Sequence, residues 1–481
     1  MHPIATHWLN FIDGEWVDSP VPLTVNNPGS GEPLATIAQA STADAERALQ
    51  AARRCADSGE LTRARPAQRV TWLLRIAEEI RAVTEEGAWV LCQENGKGLR
   101  DARDEFVEAA RYFEYYAGMA DKIEGTSIPL GNGYMDFTVY EPMGVSAQIV
   151  PWNFPVSICA RSLAPALAAG NAVVIKSPEL SPLGLCVLLQ AIERAGLPRG
   201  AVNLICGQGR EVGAYLVESR MADQIVFTGS VPTGQSILRA AAAYAIPSVM
   251  ELGGKSAALA FADADREKLL ASVKSGIFFN AGQVCSAMSR LLVQRDIYED
   301  VVAAVVELAE GLSVGRGQDD PDLTPVISAQ QLAGIQAICR QAVDEGAVVA
   351  TGGEAYSDRA GHFMRPTVFR DVTPQMRIAR EEVFGPVLAV IPFDSEEEAI
   401  AIANDTDFGL VAGVFTRDID RAMRCARRLR AGQVFINEWY AGGIETPFGG
   451  VGLSGFGREK GQEALYSYVR TKNVAIRVAG E

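Results

Sequence analysis

The spacing of apolar positions predicts three amphipathic helices in the first quarter of the chain. They cover residues 41–55, 66–83 and 89–117, where apolar side chains recur every three to four positions. Ser41 is the predicted N-cap of the first helix, with Asp44 three residues later as its capping partner. Ahead of these helices, the Asp13-Gly14 pair within residues 11–16 predicts a short hairpin.

From residue 143 onward, short β-branched runs alternate with helical patterns, which predicts a parallel sheet built from right-handed crossovers. The predicted strands cover residues 145–150, 172–175, 202–206, 224–228 and 248–252. The predicted helices between them cover residues 157–169, 180–195, 211–218 and 231–243. A second alternating series over residues 290–437 predicts a second α/β domain.

Two segments of the chain are predicted to be extended. Residues 121–141 contain three glycines followed by a strand-like run, and we interpret them as an arm. The tail beyond residue 465 also ends in a strand-like pattern. A terminal strand needs a pairing partner, and pairing with the extended arm of another subunit would cover both edges.

Composition narrows the class of protein. The length of 481 residues predicts two or three domains, and 48% apolar residues with mixed charge are typical of a globular protein. The net charge of −15, without basic runs, disfavours binding to nucleic acid or to an anionic membrane. Since no apolar run could span a bilayer and residues 1–10 lack the regions of a signal peptide, we expect a cytoplasmic protein.

The cysteines and histidines limit the possible chemistry. Eight cysteines are scattered without a Cys-x-x-Cys pair, which disfavours a disulfide framework and a structural zinc site, and we expect no metal. The three histidines are His2, His7 and His362, and two of them lie at the N-terminus. A catalytic base is therefore expected to be a carboxylate.

Cys285 is the candidate nucleophile. The apolar helical pattern over residues 266–279 leads into the small-residue turn Gly282-Gln283-Val284-Cys285. A thiolate is a strong nucleophile where its surroundings favour ionisation and access, and a tight glycine turn at the end of an element can provide both. One cysteine alone proves little, so the supporting residues must be found elsewhere in the chain.

Ends of the predicted strands carry residues suited to a nucleotide, and ligands of an open parallel sheet bind at those ends. Lys176 and Glu179 follow the second strand, where Glu179 would accept from a free 2′-hydroxyl and repel a 2′-phosphate, which favours NAD over NADP. Gly229 and Ser230 begin a helix whose free N–H groups favour phosphate. Neither glycine-rich loop of this region fits the G-x-G-x-x-G fingerprint, and a simple turn or helix cap remains the alternative interpretation of each.

Glu251, which ends the fifth predicted strand, is the candidate base. Two glycines follow within the Glu-Leu-Gly-Gly-Lys stretch, so that this carboxylate can swing and can approach a ligand. The alternative interpretation is a glutamate in a surface turn, which is the commoner position of this residue.

Four motifs together resemble those of the NAD(P)+-dependent aldehyde dehydrogenase superfamily. They are Pro-Trp-Asn-Phe-Pro at 151–155, Glu-Leu-Gly-Gly-Lys at 251–255, Gly-Gln-Val-Cys at 282–285 and Glu-Val-Phe-Gly-Pro at 382–386. The resemblance extends from residues 11–16 to residues 457–459 and implies an α/β fold with a Rossmann-like cofactor domain. The implied domains are the cofactor domain at 1–123 and 142–252, an α/β catalytic domain at 253–446, and a small β oligomerisation arm at 124–141 and 465–481. The family also implies a homodimer or homotetramer.

The resemblance further implies a role for each site residue. Cys285 attacks the aldehyde carbon as a thiolate, the Asn153 side chain and the Cys285 N–H hold the oxyanion, and Glu251 activates the water that releases the acid. Such preorganised donors lower a barrier by roughly 3 kcal/mol each. The residues implied to bind NAD are Val150, Trp152, Lys176, Glu179, Gly209, Phe227, Gly229, Ser230, Leu252, Glu382 and Phe384. The residues implied to line the substrate tunnel are Phe154, Ile158, Arg161, Tyr440 and Phe448.

Arg161 has two interpretations, and the sequence leaves both open. Bacterial succinate-semialdehyde dehydrogenases carry arginine at this position to meet the substrate carboxylate, but the second arginine that they place before the cysteine is Phe279 here. The family usually has lysine at the next position, which is Ser162 here, so Arg161 is alternatively a substitute for that lysine near Glu459. The apolar to aromatic mouth of the tunnel also suits a bulky or aromatic aldehyde.

Two other functions are weighed against oxidation to the free acid. A CoA-acylating semialdehyde dehydrogenase is disfavoured by Glu251, since that subgroup typically lacks this base. A structural protein on a retired enzyme scaffold is disfavoured because Cys285, Asn153 and Glu251 are all intact. Turnover of NAD+ with an aldehyde panel, with and without CoA, separates the three functions.

Overall fold

The elements that precede the arm follow the predicted pattern in the computed structural model, which describes residues 3–478. They are β1 (His7–Trp8), β2 (Asn10–Ile12), β3 (Glu15–Val17), β4 (Pro22–Asn26), β5 (Pro33–Ala38), α1 (Thr42–Ser58), α2 (Pro66–Ala82), α3 (Thr84–Asn95) and α4 (Leu99–Ala117). β2 and β3 form the predicted hairpin, and Ser41 and Asp44 form a capping box at the start of α1. The predicted single helix over 89–117 is wrong, because Gly96 adopts a left-handed φ of 88° and ends α3.

A mainly parallel sheet forms the first half of the molecule. The next elements are β6 (Ser127–Ile128), β7 (Tyr134–Pro142), β8 (Val145–Ile149), α5 (Pro155–Ala169), β9 (Ala172–Ser177), α6 (Leu183–Arg194), β10 (Val202–Cys206), α7 (Ala214–Glu218), β11 (Gln224–Thr228), α8 (Val231–Ala242) and β12 (Ser248–Glu251). Five parallel strands lie in the order β12-β11-β8-β9-β10, and the hairpin β2-β3 extends the sheet at its β10 edge. The strand order reverses at β8, which makes this position a topological switch point where ligands bind.

A second sheet forms the other half. Its elements and the helices around it are β13 (Ala257–Ala260), α9 (Arg266–Val273), β14 (Arg290–Gln294), α10 (Tyr298–Glu310), α11 (Ala329–Asp344), β15 (Val348–Thr351), β16 (Thr367–Arg370), α12 (Arg377–Arg380), β17 (Val387–Phe393), α13 (Glu396–Asn404), β18 (Val411–Phe415), α14 (Ile419–Arg428) and β19 (Gln433–Ile436). The strand order is β15-β16-β17-β14-β13-β18-β19, parallel except for β15. The predicted series began at residue 290 and missed β13, whose alanine-rich sequence lacks β-branched residues.

The tail returns to the first half of the molecule as β20 (Gly455–Phe456), α15 (Glu463–Tyr466) and β21 (Val469–Arg477). β21 pairs antiparallel with β7 of the same chain along its whole length. The chain's own arm therefore supplies a partner for one edge of the tail strand, and pairing with the arm of another subunit stays a prediction. Residues 1–2 and 479–481, the ends of the predicted cofactor domain and arm, lie outside the described residues.

The two large sheets meet at the ends of their strands, carboxyl ends from the first sheet and amino ends from the second. The carboxyl ends of β8, β11 and β12 lie opposite the amino ends of β14 and β17, since residues from all five positions line one cavity. Each sheet has its own apolar core, so this cavity lies between two rigid bodies of packed side chains. Between residues 3 and 478, no helix combines the length and the apolar composition needed to cross a membrane.

Candidate active site

The turn after β8 brings Asn153 to the switch point of the first sheet. Pro155 occupies the first position of α5, where its fixed φ suits the start of a helix. Asn153 is 4% exposed, and its side-chain Nδ2 donates to the backbone oxygen of Gln283 at 3.0 Å. The predicted oxyanion donor therefore lies directly against the turn that carries the cysteine.

A strained turn presents Cys285. Asn280 and Ala281 have φ values of 48° and 53°, a left-handed conformation that costs a non-glycine residue about 1–2 kcal/mol. Gly282 follows with a φ of 70°, and a Cβ at this position would lie 2.1 Å from the backbone oxygen of Gly385. Strain of this kind persists only where surrounding contacts overdetermine it, and it clusters at functional sites.

Two cavities meet at Cys285, which lines both of them. The first, which we call the tunnel, has a volume of about 360 Å³ and has six aromatic side chains in its lining, together with the charged residues Glu108, Arg161 and Lys460. The second, which we call the cofactor-side cavity, has a volume of about 220 Å³ and contains Asn153 and Glu251 in its lining. Cys285 is also the one partly exposed cysteine of the eight, all of which lie within the described residues.

The Cys285 thiol is protonated at neutral pH in this arrangement. Burial of the side chain raises its pKa to about 12, and the positive charge of Arg161 opposes part of that increase. The negative charges of Glu382 and Glu251 act in the same direction as burial. Ionisation of the thiol therefore needs an added positive charge or a proton acceptor in the site.

Glu251 lies buried at the end of β12 with 2% of its surface exposed. Neither carboxylate oxygen has a hydrogen-bond partner among residues 3–478. Burial, and then the charge of Glu459, raise the pKa of Glu251 well above its ordinary value, against the opposing effect of Arg161. The carboxylate lies close to Gly449, where a Cβ would come within 2.7 Å of Oε1. A buried, unpartnered carboxylate is typical of a functional group.

Arg161 is held by an ion pair with Glu459, and both side chains are almost completely buried. Ser162 donates from Oγ to the other oxygen of Glu459 at 2.7 Å. The guanidinium carbon lies 5.1 Å from the ring centre of Phe448, at the wall of the tunnel. This geometry matches the interpretation in which Arg161 substitutes for the family lysine beside Glu459.

Aromatic side chains form the tunnel wall above Cys285. The rings of Phe154 and Phe279 stack with their centres 5.8 Å apart, and Tyr440 meets Phe279 edge-on at 6.4 Å. The predicted tunnel residues Phe154, Ile158, Arg161, Tyr440 and Phe448 all line this cavity. The structure therefore brings the predicted substrate residues together.

Lys176, Glu179 and Gly209 converge beyond the carboxyl ends of β9 and β10. Lys176 Nζ lies 2.8 Å from Glu179 Oε2, and the Gly209 N–H donates to Glu179 Oε1 at 2.7 Å. Lys176 is buried, whereas the Glu179 side chain is 37% exposed. A carboxylate fixed in this way can accept hydrogen bonds from the hydroxyls of a ribose.

The start of α8 offers an anion site next to these residues. Ser230 precedes the helix, and its hydroxyl lies 2.9 Å from the Thr233 hydroxyl and does not cap a backbone N–H. Free N–H groups and the helix dipole favour a phosphate at this position. A further cavity of about 580 Å³, lined by Gly209, Pro232 and neighbouring residues, lies beside it.

Glu382 and Phe384, which precede β17, line the cofactor-side cavity, as does Leu252, which follows β12. Glu382 accepts from the Gly254 N–H at 3.0 Å, and burial raises the pKa of this carboxyl to about 7. Phe384 has a left-handed φ of 53°, and its ring meets that of Trp152 edge-on at 5.4 Å. The pair Trp152 and Phe384 thus forms a rigid aromatic corner of the cavity.

Four of the predicted cofactor residues, Lys176, Glu179, Val150 and Phe227, line none of these three cavities. The Val150 N–H donates to the Lys176 oxygen at 3.1 Å, and the Phe227 ring lies under Gly229, where a Cβ would be 2.5 Å away. The structure gives Val150 and Phe227 supporting positions, and direct contact of all four residues with a cofactor stays a prediction.

Several polar side chains around the site were not predicted from the sequence. Gln331 donates to the Phe384 oxygen at 2.8 Å, and Lys460 lies 3.7 Å from Glu108 at the tunnel. Asn95 at the end of α3 and Lys97 in the loop after it contact the Asn153 turn, and the sequence pattern placed both inside one predicted helix. Two glycines flank Lys97, and these were the available signal of a break. Within the described part of the chain, no group of three or more His, Cys, Asp or Glu side chains could hold a metal ion.

Known proteins resemble this chain along its whole length. The profile of the aldehyde dehydrogenase family matches residues 16–474. A betaine aldehyde dehydrogenase of Bacillus subtilis is 40% identical over 96% of this chain and 96% of its own length. Human retinal dehydrogenase 2 is 40% identical over 97% of this chain and 91% of its own length.

A solved structure shares the fold. A crystal structure of betaine aldehyde dehydrogenase from Staphylococcus aureus in complex with NAD+ superposes with a TM-score of 0.96 at 37% identity, covering 98% of this chain and 95% of that chain. The family match, the fold and the residues gathered around Cys285 agree. The chain belongs to the aldehyde dehydrogenase family and is an oxidoreductase that acts on aldehydes.

Proposed function

We propose that this protein oxidises an aldehyde to the free carboxylic acid with NAD+ as acceptor, through a thiohemiacetal and a thioester on Cys285. The observation that carries the proposal is the position of Cys285, where the tunnel and the cofactor-side cavity meet. A substrate in the tunnel and a cofactor in the second cavity would approach the same sulfur from opposite sides. Asn153 and Glu251 lie on the cofactor side, within reach of the same reacting carbon.

The first step requires the thiolate, so the Cys285 thiol first releases its proton to solvent, which the positive charge of bound NAD+ would favour. Cys285 Sγ then forms a bond to the aldehyde carbon, while the carbonyl π electrons move to oxygen. Asn153 Nδ2 carries two protons, and one of them donates to the backbone oxygen of Gln283. The other can therefore donate to this oxyanion together with the Cys285 N–H. Each such donor contributes about 3 kcal/mol to the lowering of the barrier. The negative oxygen then drives a hydride from the same carbon, which leaves a thioester.

The second step hydrolyses the thioester. Glu251 takes a proton from a water molecule that attacks the thioester carbon, and Sγ leaves as the thiolate. The raised pKa of Glu251 suits this role, because a base whose pKa lies nearer to neutral accepts a proton more readily. Across both steps, an aldehyde, a water molecule and an acceptor of one hydride yield an acid, the reduced acceptor and a proton.

The residues present fit NAD+, which supplies the hydride acceptor and a positive charge when bound. The uncapped start of α8 suits the pyrophosphate, and Glu382 and Phe384 suit the nicotinamide riboside. Lys176 and Glu179 suit the adenosine ribose, and the fixed Glu179 carboxylate would repel a 2′-phosphate. We therefore propose NAD+ over NADP+.

The tunnel favours a bulky or aromatic aldehyde without a carboxylate. Arg161 is paired with Glu459, and Lys460 Nζ lies 3.7 Å from Glu108, so a carboxylate of the protein competes with a substrate anion for each cation. The exposed wall of the tunnel is instead built from the rings of Phe154, Phe279 and Tyr440. Ring faces stack on aromatic and bulky apolar groups.

One experiment tests the reaction and the substrate class together. The purified protein is incubated with NAD+ and aromatic, aliphatic, carboxylate-bearing and cationic aldehydes, and NADH is followed by its absorbance. We expect the highest kcat/KM for aromatic aldehydes, with free acid as the product. Turnover that requires CoA would identify an acylating enzyme instead, and no turnover with any aldehyde would favour a structural protein. The highest kcat/KM for the carboxylate-bearing aldehyde would refute the proposed substrate class.

We also propose that the arm joins subunits into a homodimer or homotetramer. β21, β7 and β6 form a three-stranded sheet at the surface of the chain, and it exposes Tyr134, Met135 and Ile476 to 50%, 56% and 41%. Both edges of such a sheet offer unpaired backbone groups to a neighbour. The chain's own pairing of β21 with β7 makes this sheet a preformed unit for association.

A further inference from the structure

The last turn of α3 and the break that follows it contain three fully buried polar side chains. Glu94 and Asn95 end α3, Lys97 lies in the break, and the three are 0%, 1% and 1% exposed, although a connecting segment normally lies at the surface. Burying polar groups is costly unless each finds a partner, and a buried ammonium is among the most costly. The partners of these side chains therefore show what the segment does.

All three side chains bind backbone groups in the segments that follow β8 and β9. Glu94 accepts from the N–H groups of Leu183 and Gly184 at the start of α6, both at 2.7 Å. Asn95 Nδ2 donates to the Trp152 oxygen at 2.7 Å, and Lys97 Nζ donates to the Asn153 oxygen at 2.8 Å. We call the segment 94–97 the bracket, because it holds two consecutive carbonyls of the Asn153 turn.

The charge of Lys97 is compensated within the same network. Its ammonium forms an ion pair with Glu105 on α4, which is also buried. The second Glu105 oxygen accepts from the N–H groups of Val156 and Ser157 at 3.2 and 3.0 Å. Since these N–H groups belong to the first turn of α5, Glu105 fixes the residues that follow Asn153 while Lys97 fixes Asn153 itself.

The contacts on Asn153 restrict the direction of its side chain. Its backbone oxygen accepts from Lys97 and from Asn280 Nδ2, the latter at 3.3 Å. Its side-chain Nδ2 is then oriented on the Gln283 oxygen, two residues before the nucleophile. With the peptide plane and one amide proton fixed, the direction of the second amide proton is restricted as well, and Asn153 lines the cofactor-side cavity together with Cys285. An oxyanion donor acts only when it is oriented before the charge develops.

We propose that Lys97, with Asn95, is a positioning residue that orients Asn153 as the oxyanion donor through its backbone carbonyl. The inference rests on the proposed function, in which Asn153 stabilises the oxyanion. Lys97 touches neither substrate nor cofactor in this scheme. Its loss lets the Asn153 turn relax, and a misdirected amide then no longer faces the oxygen.

A double-mutant cycle with Asn153→Ala separates positioning from simple structural support. Lys97→Met keeps the aliphatic stem of lysine and removes its charge, and we expect a 10- to 100-fold fall in the rate of the NADH burst with little change in KM. In the Asn153→Ala background the same substitution should change the burst rate by less than twofold, because no side-chain amide is left to orient. An equal loss in both backgrounds would overturn the inference.

A second pair of variants, neither of which changes a charge, tests the same inference if Lys97→Met fails to fold. Asn95→Ala removes the bonds that Nδ2 donates to the Trp152 oxygen and to Ser181 Oγ. Its matched control is Asn203→Ala, which removes three bonds of an equally buried asparagine, two donated to the Val173 and Gly200 oxygens and one accepted from the Asp13 N–H. Both should lower the melting temperature, but Asn95→Ala alone should slow the burst. Equal burst rates in the two variants would overturn the inference. If Asn153→Ala itself kept the wild-type rate, the proposed oxyanion role would fail, which is a separate result from additivity in the cycle.

Discussion

The ion pair between Arg161 and Glu459 decides whether the tunnel can bind a carboxylate. The two side chains are 7% and 1% exposed, so removing either one leaves the other as a buried, unpaired charge, at a cost of about 3–5 kcal/mol. Glu459→Gln has a further consequence, because it leaves the guanidinium free at the tunnel wall. A charge-assisted hydrogen bond of about 1.5–3 kcal/mol to a substrate carboxylate corresponds to roughly 10- to 150-fold in kcat/KM.

We therefore expect Glu459→Gln to raise kcat/KM for a carboxylate-bearing semialdehyde relative to a neutral aldehyde of equal length. The assay is the ratio of the two kcat/KM values, since a ratio cancels any loss of folded or active protein. Arg161→Leu should lower both values alike and leave the ratio unchanged. The control is Glu299→Gln, which removes the exposed partner of Arg370 on the far side of the second sheet and should not alter the ratio.

A selective role of Arg161 in wild-type recognition would give a different pattern. The wild type would then prefer the semialdehyde, and Arg161→Leu would abolish that preference by tenfold or more. This result would refute the inference that the ion pair with Glu459 prevents Arg161 from binding a substrate carboxylate. An unchanged ratio in Glu459→Gln would show that the freed guanidinium does not reach the substrate, which also contradicts the expected gain.

Three substitutions at the site and one at the arm give further tests. Cys285→Ala should abolish NADH formation with every aldehyde, and substantial remaining activity by absorbance would overturn its assignment as nucleophile. Glu251→Gln should give a burst of about one NADH per subunit, followed by a steady-state rate that is lower by roughly 10²–10⁴-fold. Because burial raises the pKa of Glu251, the wild-type hydrolysis rate should rise as the pH increases through that pKa, and the variant should lack this rise. Glu179→Ala should lower the ratio of kcat/KM with NAD+ to kcat/KM with NADP+. An unchanged ratio would show that this carboxylate does not discriminate against the 2′-phosphate. Met135→Glu, at a side chain 56% exposed on the arm, should shift the mass measured by light scattering towards the monomer, whereas an unaltered mass would place the interface elsewhere.

The first sheet could be predicted in detail because its strands are short, β-branched and bounded by turn residues. The predicted bounds of β10 and β11 agree with those of the structure. β13 could not be found in this way, because Ala-Ala-Leu-Ala has no intrinsic preference for a strand. Its conformation is imposed by pairing with β14 and β18 on both sides. Tertiary pairing of this kind leaves no signal in a local window of sequence.

The site residues divide in a similar way. Cys285, Asn153 and Glu251 were found because each lies in a motif with unusual glycines or prolines around it. From the sequence, Glu459 was one of two open possibilities for the partner of Arg161, and Lys97 was not found as a support of Asn153. The reason is that these contacts join segments far apart in the chain. The hydrophobic pattern is uninformative for such side chains, because they are polar residues in the core.

The distribution of backbone strain connects the fold to the chemistry. Among the described residues, ten non-glycine residues have positive φ, and five of them, Asn280, Ala281, Phe384, Tyr440 and Lys460, lie in the cysteine turn or line the two cavities that meet at Cys285. Each costs about 1–3 kcal/mol, so folding alone does not explain their concentration in one place. Cys285, the proposed nucleophile, lies between two separately packed sheets, with the tunnel on one side and the cofactor-side cavity on the other. A helix or strand that continued regularly to Cys285 would place backbone atoms in the space between the two sheets. Left-handed turns instead reverse the chain within a few residues and keep the space around Sγ open, and the buried hydrogen bonds of Asn153, Asn280 and Gln283 hold the cysteine turn in place.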